Sequence, residues 1–464
     1  MTARGTELGC QKTNSDQGDR ALDRIKGTEH LIVAARQRRI SIRKPIKVPR
    51  KCPPPKPTSM PAEFVPSPNV AQLRPSATIA VSTRAKALKA QGRQIIDLGV
   101  GEPDFDTPDF IKAAAARAVA SGQTKYTATE GILPLREAIA SHAAARWIGA
   151  VADAPTAADV VVSNGSKQTL FNACFCLFGA GDEVLIPTPA WTSYVEIVAL
   201  AKATPVAVPG DPSNGFQVTV ADLETHATPR TKGIMLNSPS NPTGATWDTD
   251  VLREIIAYAT AKGWWILSDE IYRRISYEKP AASALELTRD RSNLIVIDGV
   301  AKAYAMTGWR IGWAVAPRAV AKAMTDLQSH TTSNASTPSQ WAAVAALTER
   351  DAAEESITAM LRAFRQRRDA VLELLNEEGA PPYIHPSGAF YFFLDVSAIP
   401  NGGDDAGTVF AAAMLEEHGV AIVPGTAFGT PGWVRLSYAA AEADVMEAMR
   451  RIIGAYRAMM SVPA

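Results

Sequence analysis

From about Ala71 onward the chain alternates two kinds of apolar pattern. Short, nearly continuous apolar runs bounded by turn residues recur at Val160–Ser163, Glu183–Pro187, Gly233–Asn237, Trp264–Ser268, Leu294–Asp298 and Ile311–Ala316. A strand with one wet face alternates apolar and polar residues, so runs this continuous predict strands buried on both faces. Helical stretches lie between them, such as Lys167–Phe178 and Asp250–Lys262. Upstream, Thr107-Pro108 predicts a helix start, as N-cap and first-turn proline, and Gly122 its close. The alternation predicts an α/β fold built on a doubly wound, mostly parallel sheet. Ligands in such sheets sit beyond the carboxyl ends of the strands. Helix-rich sequence from Ala319 to about Glu378, then a mixed α+β stretch from Pro382, predicts a second, smaller α+β domain. The expected division is a leader over 1–60, an arm and part of the small domain over 61–106, a large ligand-binding domain over 107–345, and the C-terminal small domain over 346–464.

Charge changes this picture at the N-terminus. The 464 residues sum to a net charge of +1, which argues against a dedicated nucleic-acid or acidic-membrane binder. That total hides a split, because residues 1–60 hold 14 Lys+Arg against 5 Asp+Glu, a net of +9, leaving −8 for the remainder. The leader offers one helix, around Ala21–Arg39, and then a Pro- and Lys-rich stretch from Pro45 to Pro68 that favours extended chain. Its acidic residues count against a transit peptide, and one helix is too few for a DNA-binding module. Its composition favours a disordered tail, or translation starting at Met60. No apolar run reaches the roughly 18–20 residues needed to cross a bilayer. Of four cysteines, Cys10, Cys52, Cys174 and Cys176, the last two are too close along the chain to staple anything useful. A soluble protein in a reducing cytoplasm is expected, with no metal site.

Four motifs fall at predicted strand ends. Gly165-Ser166-Lys167 lies between a strand and a helix, where free backbone N–H groups and a hydroxyl suit a phosphate. An ordinary βα turn with a surface lysine reads the same way. Asp269 follows Trp264-Trp265-Ile266-Leu267-Ser268, so its carboxylate is drawn out of water and wants a cationic partner, unless it merely caps a turn. Lys302 stands after Leu294–Gly299, and a lysine beside apolar sequence is a candidate Schiff-base former because its amine reacts only when deprotonated. Arg310 follows eight residues later with the planar fork suited to a phosphate. Asn241-Pro242-Thr243-Gly244 is a turn by its Pro and Gly.

Together, in this order and spacing, the four motifs resemble the fold type I pyridoxal-phosphate enzymes, specifically the class I aminotransferases. The resemblance runs from about Leu73 to Arg451. It includes Gly101-Glu102-Pro103-Asp104-Phe105-Asp106-Thr107-Pro108, Lys125-Tyr126-Thr127, Pro386-Ser387-Gly388-Ala389-Phe390-Tyr391, and Val423-Pro424-Gly425-Thr426 with Val434-Arg435-Leu436-Ser437-Tyr438.

The resemblance implies pyridoxal 5′-phosphate as cofactor, with Lys302 forming its Schiff base and then moving the substrate Cα proton. It also implies that Asp269 keeps the ring nitrogen protonated. Tyr272 and Asn241 would bond the ring oxygen, Trp191 would stack on the ring, and Arg310, Gly165 and Ser166 would hold the phosphate. Without the resemblance Trp191 reads as a core aromatic. Tyr126 would reach the phosphate from a neighbouring subunit, which implies a homodimer. Arg435 would bind the substrate α-carboxylate as a bidentate pair, helped by Gly101 and Asn241. Many relatives have serine one or three residues before the lysine, where this chain has Ala301 and Gly299.

Arg74-Pro75-Ser76-Ala77-Thr78 resembles a segment of the aspartate aminotransferase branch that also accepts prephenate. There the positions of Ser76, Thr78 and Lys167 engage a distal carboxylate, although Lys167 could instead face only solvent or phosphate. The expected reaction exchanges the amino group of L-aspartate with 2-oxoglutarate, with small amino and oxo acids as the partners and no nucleic acid or membrane. Alternatives are a transaminase for aromatic amino acids or alanine, a β-lyase, and, remotely, a transcription regulator with an aminotransferase-like domain.

Overall fold

The computed structural model describes residues 64–71, 73–400 and 402–461. The helix expected over Ala21–Arg39, the leader, and the Pro/Lys-rich stretch as far as residue 63 lie outside these. A two-residue strand, β1 (Ile96–Asp97), precedes the strands of the large sheet: β2 (Val160–Ser163), β3 (Glu183–Thr188), β4 (Thr204–Pro209), β5 (Thr231–Asn237), β6 (Trp265–Asp269), β7 (Leu294–Gly299) and β8 (Gly312–Val315). Their spatial order is β2-β8-β7-β6-β5-β3-β4. Neighbours pair in parallel except β8, which runs antiparallel to both β2 and β7.

The continuous apolar runs have the expected consequence. Val160 and Val162 belong to the core on one face of the sheet, while Val161 belongs to the core on the other. Leu185 and its neighbours Val184 and Ile186 divide in the same way. Both faces are therefore covered, as a doubly wound sheet requires.

One strand lies outside the six apolar runs, and one expectation needs correction. The strand is β4, Thr204–Pro209, where Pro205 and Pro209 interrupt the apolar sequence. Prolines are tolerated there because β4 is the edge strand, with a partner on one side only. Thr107 does not cap the helix Asp109–Ala120. Pro108 holds the N-cap position, and the Thr107 hydroxyl donates to the Ala305 carbonyl at 2.6 Å. Gly122 does close that helix, with φ +79° and its N–H bonded to Val119 O at 3.1 Å.

Downstream lie helices Arg318–Ser329, Thr337–Thr348 and Arg350–Leu375. They are followed by strands β9 (Tyr383–Ile384), β10 (Tyr391–Asp395), β11 (Val420–Ala421), β12 (Val423–Pro424) and β13 (Trp433–Ser437). A four-stranded antiparallel sheet has the order β12-β13-β10-β9, and β1 pairs in parallel with β11. The long helix Arg350–Leu375 and the terminal helix Glu442–Met460 share a core with β10 and β13 through Phe364, Phe390, Phe392, Leu436 and Ile452.

Candidate active site

Strand direction gathers the chemistry. The ends of β3, β5, β6 and β7 lie on one edge of the large sheet. Because β8 is antiparallel, its beginning and the end of β2 reach the same edge. Gly165 and Ser166 after β2, Trp191 after β3, Asn241 after β5, Asp269 and Tyr272 at β6, Lys302 after β7 and Arg310 before β8 are therefore neighbours, although 145 positions separate the first from the last. From the antiparallel sheet, β10 adds Tyr391 and β13 adds Arg435.

A cavity of about 340 Å3 opens at this edge, lined by Ser76, Thr78, Gly101, Ser166, Lys167, Trp191, Asn241, Asp269, Tyr272, Lys302, Arg310 and Arg435, among others. Sequence reasoning points to each of those twelve. Gly165 is buried behind the wall with the Arg310 side chain laid across it, so a Cβ there would collide with the guanidinium. With φ +90°, Gly165 also adopts a backbone that favours glycine. Tyr126 is not in the wall of this cavity; it stands 88% exposed on the surface.

Asp269 ends β6 as a buried carboxylate. Its Oδ2 accepts from the Tyr194 hydroxyl at 2.7 Å, its Oδ1 accepts from the Ile271 N–H at 3.2 Å, and its carbonyl accepts from Asn237 Nδ2 at 3.0 Å. Among the described residues no lysine or arginine lies within 4.0 Å of that carboxylate. Loss of water dominates its proton affinity, raising its pKa to about 6 against the pull of the Tyr194 and Ile271 bonds. The cationic partner that the sequence leads one to expect is thus not supplied by any described side chain.

Lys302 shows the opposite displacement. Burial lowers its pKa to about 8, with the Glu102 carboxylate opposing this and the positive Arg435 and Arg310 adding to it. Its amine donates to the Gly101 carbonyl and lies 5.7 Å from the Phe390 ring centre. Lys167 extends over the Trp191 ring at 4.8 Å, its pKa lowered by partial burial and then by Arg310.

Arg435, 2% exposed in the middle of β13, is the largest fully buried side chain among the described residues. Its guanidinium donates to Asn241 Oδ1 at 2.9 Å and to the Gly99 carbonyl at 2.6 Å and stacks 4.6 Å from the Tyr391 ring, while Nε has no partner. Burial lowers its pKa, yet an arginine stays charged. Among the described residues Lys167, Lys302, Arg310 and Arg435 form no ion pair with a carboxylate. A cavity edged by four such cations, with one buried carboxylate in its wall, is built to take an anion at more than one point and a cationic atom at one.

Three contributors escape the sequence reading: Tyr194 holds Asp269, Tyr391 meets the Tyr272 hydroxyl at 2.7 Å, and the Gly99 carbonyl holds Arg435, while the expected Gly101 contributes the carbonyl that holds Lys302. Only Tyr194 leaves a local trace: it stands one turn beyond Trp191, at the start of helix Ser193–Leu200.

Residues 93–452 match the family of class I and II aminotransferases. An aspartate aminotransferase of Streptomyces avermitilis is 43% identical over 84% of this chain and 96% of its own length. A protein of Thermus aquaticus described as a probable aspartate/prephenate aminotransferase is 42% identical over 83% of this chain and 97% of its own. Among solved structures, the aspartate aminotransferase of Thermus thermophilus with maleate superposes with a TM-score of 0.80 at 39% identity, covering 85% of this chain and all of that one. With a family match over residues 93–452 and relatives 43% and 42% identical along most of its length, the chain belongs to the class I and II aminotransferases.

Proposed function

We propose that the protein is a pyridoxal-phosphate-dependent transaminase that exchanges the amino group of L-aspartate with 2-oxoglutarate, giving oxaloacetate and L-glutamate. The observation that carries this reading is the convergence of four carboxylate-free cations and the buried Asp269 on one cavity. When bound, pyridoxal phosphate supplies an aldehyde for the Lys302 amine and a protonatable ring that withdraws electrons from the substrate Cα.

Asp269 would keep a proton on the ring nitrogen, since a negative charge kept out of water is best met by a positive one. Arg310, with Gly165 and Ser166 at the N-terminus of helix Ser166–Leu177, holds the phosphate. The Ser166 hydroxyl already donates to Asp298 O at 3.0 Å, so its role includes fixing that turn. Tyr272 and Asn241 would hydrogen-bond the ring oxygen, and Trp191 would pack against the ring. Arg435, pinned by Asn241 and lining the cavity, would bind the substrate α-carboxylate beside Gly101. With its pKa lowered to about 8, Lys302 spends part of its time neutral near physiological pH, as a base for the Cα proton must.

Lys167, Ser76 and Thr78 favour an acidic side chain in the remaining part of the cavity, which supports aspartate over apolar donors. Arg74 stands apart, with its Nε 3.3 Å from Glu196 Oε1. The exposure of Tyr126 is what a residue reaching a partner subunit's phosphate needs, so the working unit is proposed to be a homodimer.

A panel of donors (aspartate, glutamate, alanine, phenylalanine) against acceptors (2-oxoglutarate, oxaloacetate, prephenate) tests the reading. Oxo-acid formation fastest from aspartate is expected. Ammonia and pyruvate as products would identify a lyase, and faster turnover of alanine or phenylalanine would overturn the assignment of the distal pocket.

A further inference from the structure

Two of the site's cations are held by the backbone of one short segment. Gly99 O accepts from Arg435 and Gly101 O accepts from Lys302, so the strap from Gly99 to Thr107 touches both the proposed carboxylate-binding arginine and the reactive lysine. What fixes the strap therefore fixes the site.

On one flank the strap is tied to the loop that bears Lys302 and Arg310. The Thr307 hydroxyl donates to Glu102, the Thr107 hydroxyl to Ala305 O at 2.6 Å, and Trp309 Nε1 to the Thr107 hydroxyl at 2.9 Å. On the other flank the long helix Arg350–Leu375 takes hold, with Phe364 edge to face on Phe105 and Arg367 making the polar contact. Arg367 donates through both terminal nitrogens to Asp104, at 2.7 and 2.9 Å, in a fork-to-carboxylate pair. The guanidinium lies 5.4 Å from the Phe105 ring and 5.7 Å from Phe364, the two rings of that edge-to-face pair, with a further bond of 3.4 Å to Tyr438 O.

Arg367 is 9% exposed on the inner face of its helix, among Met360, Phe364 and Val371. An arginine there is poorly explained by stability, because a buried ion pair of this kind is often no better than an apolar side chain of the same volume. Its geometry is better explained by placement, since a planar two-point contact fixes Asp104 in direction as well as in distance.

We propose that Arg367 is a positioning residue for the transamination site, acting through Asp104 and the strap to set the Gly99 and Gly101 carbonyls that orient Arg435 and Lys302. The inference rests on the functional reading above. Arg435 meets the α-carboxylate that every amino-acid and oxo-acid substrate carries, so loosening the strap weakens all of them alike. Small displacements of a preorganised group cost orders of magnitude in rate.

The test uses the cofactor-loaded enzyme. Arg367→Met should raise KM for aspartate and for 2-oxoglutarate by the same factor, on the order of tenfold or more, and should lower kcat as well, because the Gly101 carbonyl that holds Lys302 shifts with the strap. Asp104→Asn should give the same paired increase, Asp104→Glu should stay near wild type, and Arg367→Lys, which keeps charge without the fork, should fall between. A purely structural role would lower the melting temperature and leave KM alone. An unchanged KM in soluble Arg367→Met, or a change for one substrate only, overturns the proposal. If that variant does not fold, the KM values of Asp104→Asn decide between the same two outcomes. If the wild-type enzyme fails to transaminate, the functional reading falls instead. The clamp is then tested by calorimetric binding of succinate, whose Kd must rise on the order of tenfold in Asp104→Asn for the proposal to stand.

Discussion

Tyr194 and Asp269 are joined by a 2.7 Å hydrogen bond across the interior of the site, from the first turn of a helix to the end of a central strand. Burial raises the Asp269 pKa to about 6, and the tyrosine bond is the largest influence opposing that rise. As the proposed partner of a protonated ring nitrogen, Asp269 must be a carboxylate, so activity should fall as pH drops and it gains a proton. Tyr194→Phe removes the opposing bond and should move the acid limb of the kcat/KM profile upward by about one pH unit, the worth of one hydrogen bond to a charged group. Rates at pH 8 should change little. A pH–rate profile of both enzymes checks this, and an acid limb that stays in place would remove Tyr194 from any role in tuning Asp269.

Gly101 is required by a side chain far from it in sequence. A Cβ on this residue would collide with the Tyr391 hydroxyl, which is itself held by Tyr272 at 2.7 Å and buried on all sides. Gly101→Ala must therefore displace either Tyr391 or the carbonyl that holds Lys302. A loss in kcat/KM on the order of a hundredfold is expected, since displacements near 1 Å at a reacting centre cost that much. Adding Tyr391→Phe removes the obstructing oxygen and should restore part of the loss. Steady-state kinetics of the single and double variants decide the matter.

How much of this can be read from the chain alone depends on whether the information is local. Six of the seven strands of the large sheet announce themselves because strands buried on both faces need unbroken apolar runs. The edge strand β4 needs no such run, and its prolines conceal it. Lys302, Asp269, Arg310 and Asn241 are legible because each stands within a few residues of a strand end, and strand ends converge in a parallel sheet. Tyr391 and the Gly99 carbonyl leave no such mark. Their roles arise from contacts that β13 and β10 make with distant segments, joining residues 336 and 119 positions apart. Thr107 shows the reverse case: its sequence neighbourhood suits a helix cap, yet its hydroxyl is taken by Ala305 across the fold.

The position of Lys167 over Trp191 yields a prediction about selectivity. A partly desolvated ammonium beside Arg310 is short of negative charge, and an acidic substrate side chain supplies it. Lys167→Met should lower kcat/KM for aspartate by roughly 10- to 100-fold, the worth of one charge-assisted hydrogen bond. Phenylalanine and alanine should be affected much less, because neither presents a second carboxylate. Ratios of kcat/KM across the three donors test this, and a uniform loss would assign Lys167 to cofactor binding instead of substrate choice.

Lys302 should cost the cofactor-free protein stability, with a recognisable pH signature. Its pKa is lowered from 10.5 in the unfolded chain to about 8 in the fold, chiefly by loss of water. Below pH 8 the amine is charged in both states, so the cost of burying that charge is fully present. As pH rises from 8 toward 10.5 the folded protein releases the proton while the unfolded chain keeps it, and the cost fades. Lys302→Met, which fills similar space without charge, should therefore stabilise the cofactor-free protein by about 2 kcal/mol at pH 7. By pH 9.5 the advantage should have fallen by more than half. Urea denaturation of both proteins at the two pH values measures the difference directly. An advantage that stayed constant with pH would mean that packing, and not the buried charge, sets it.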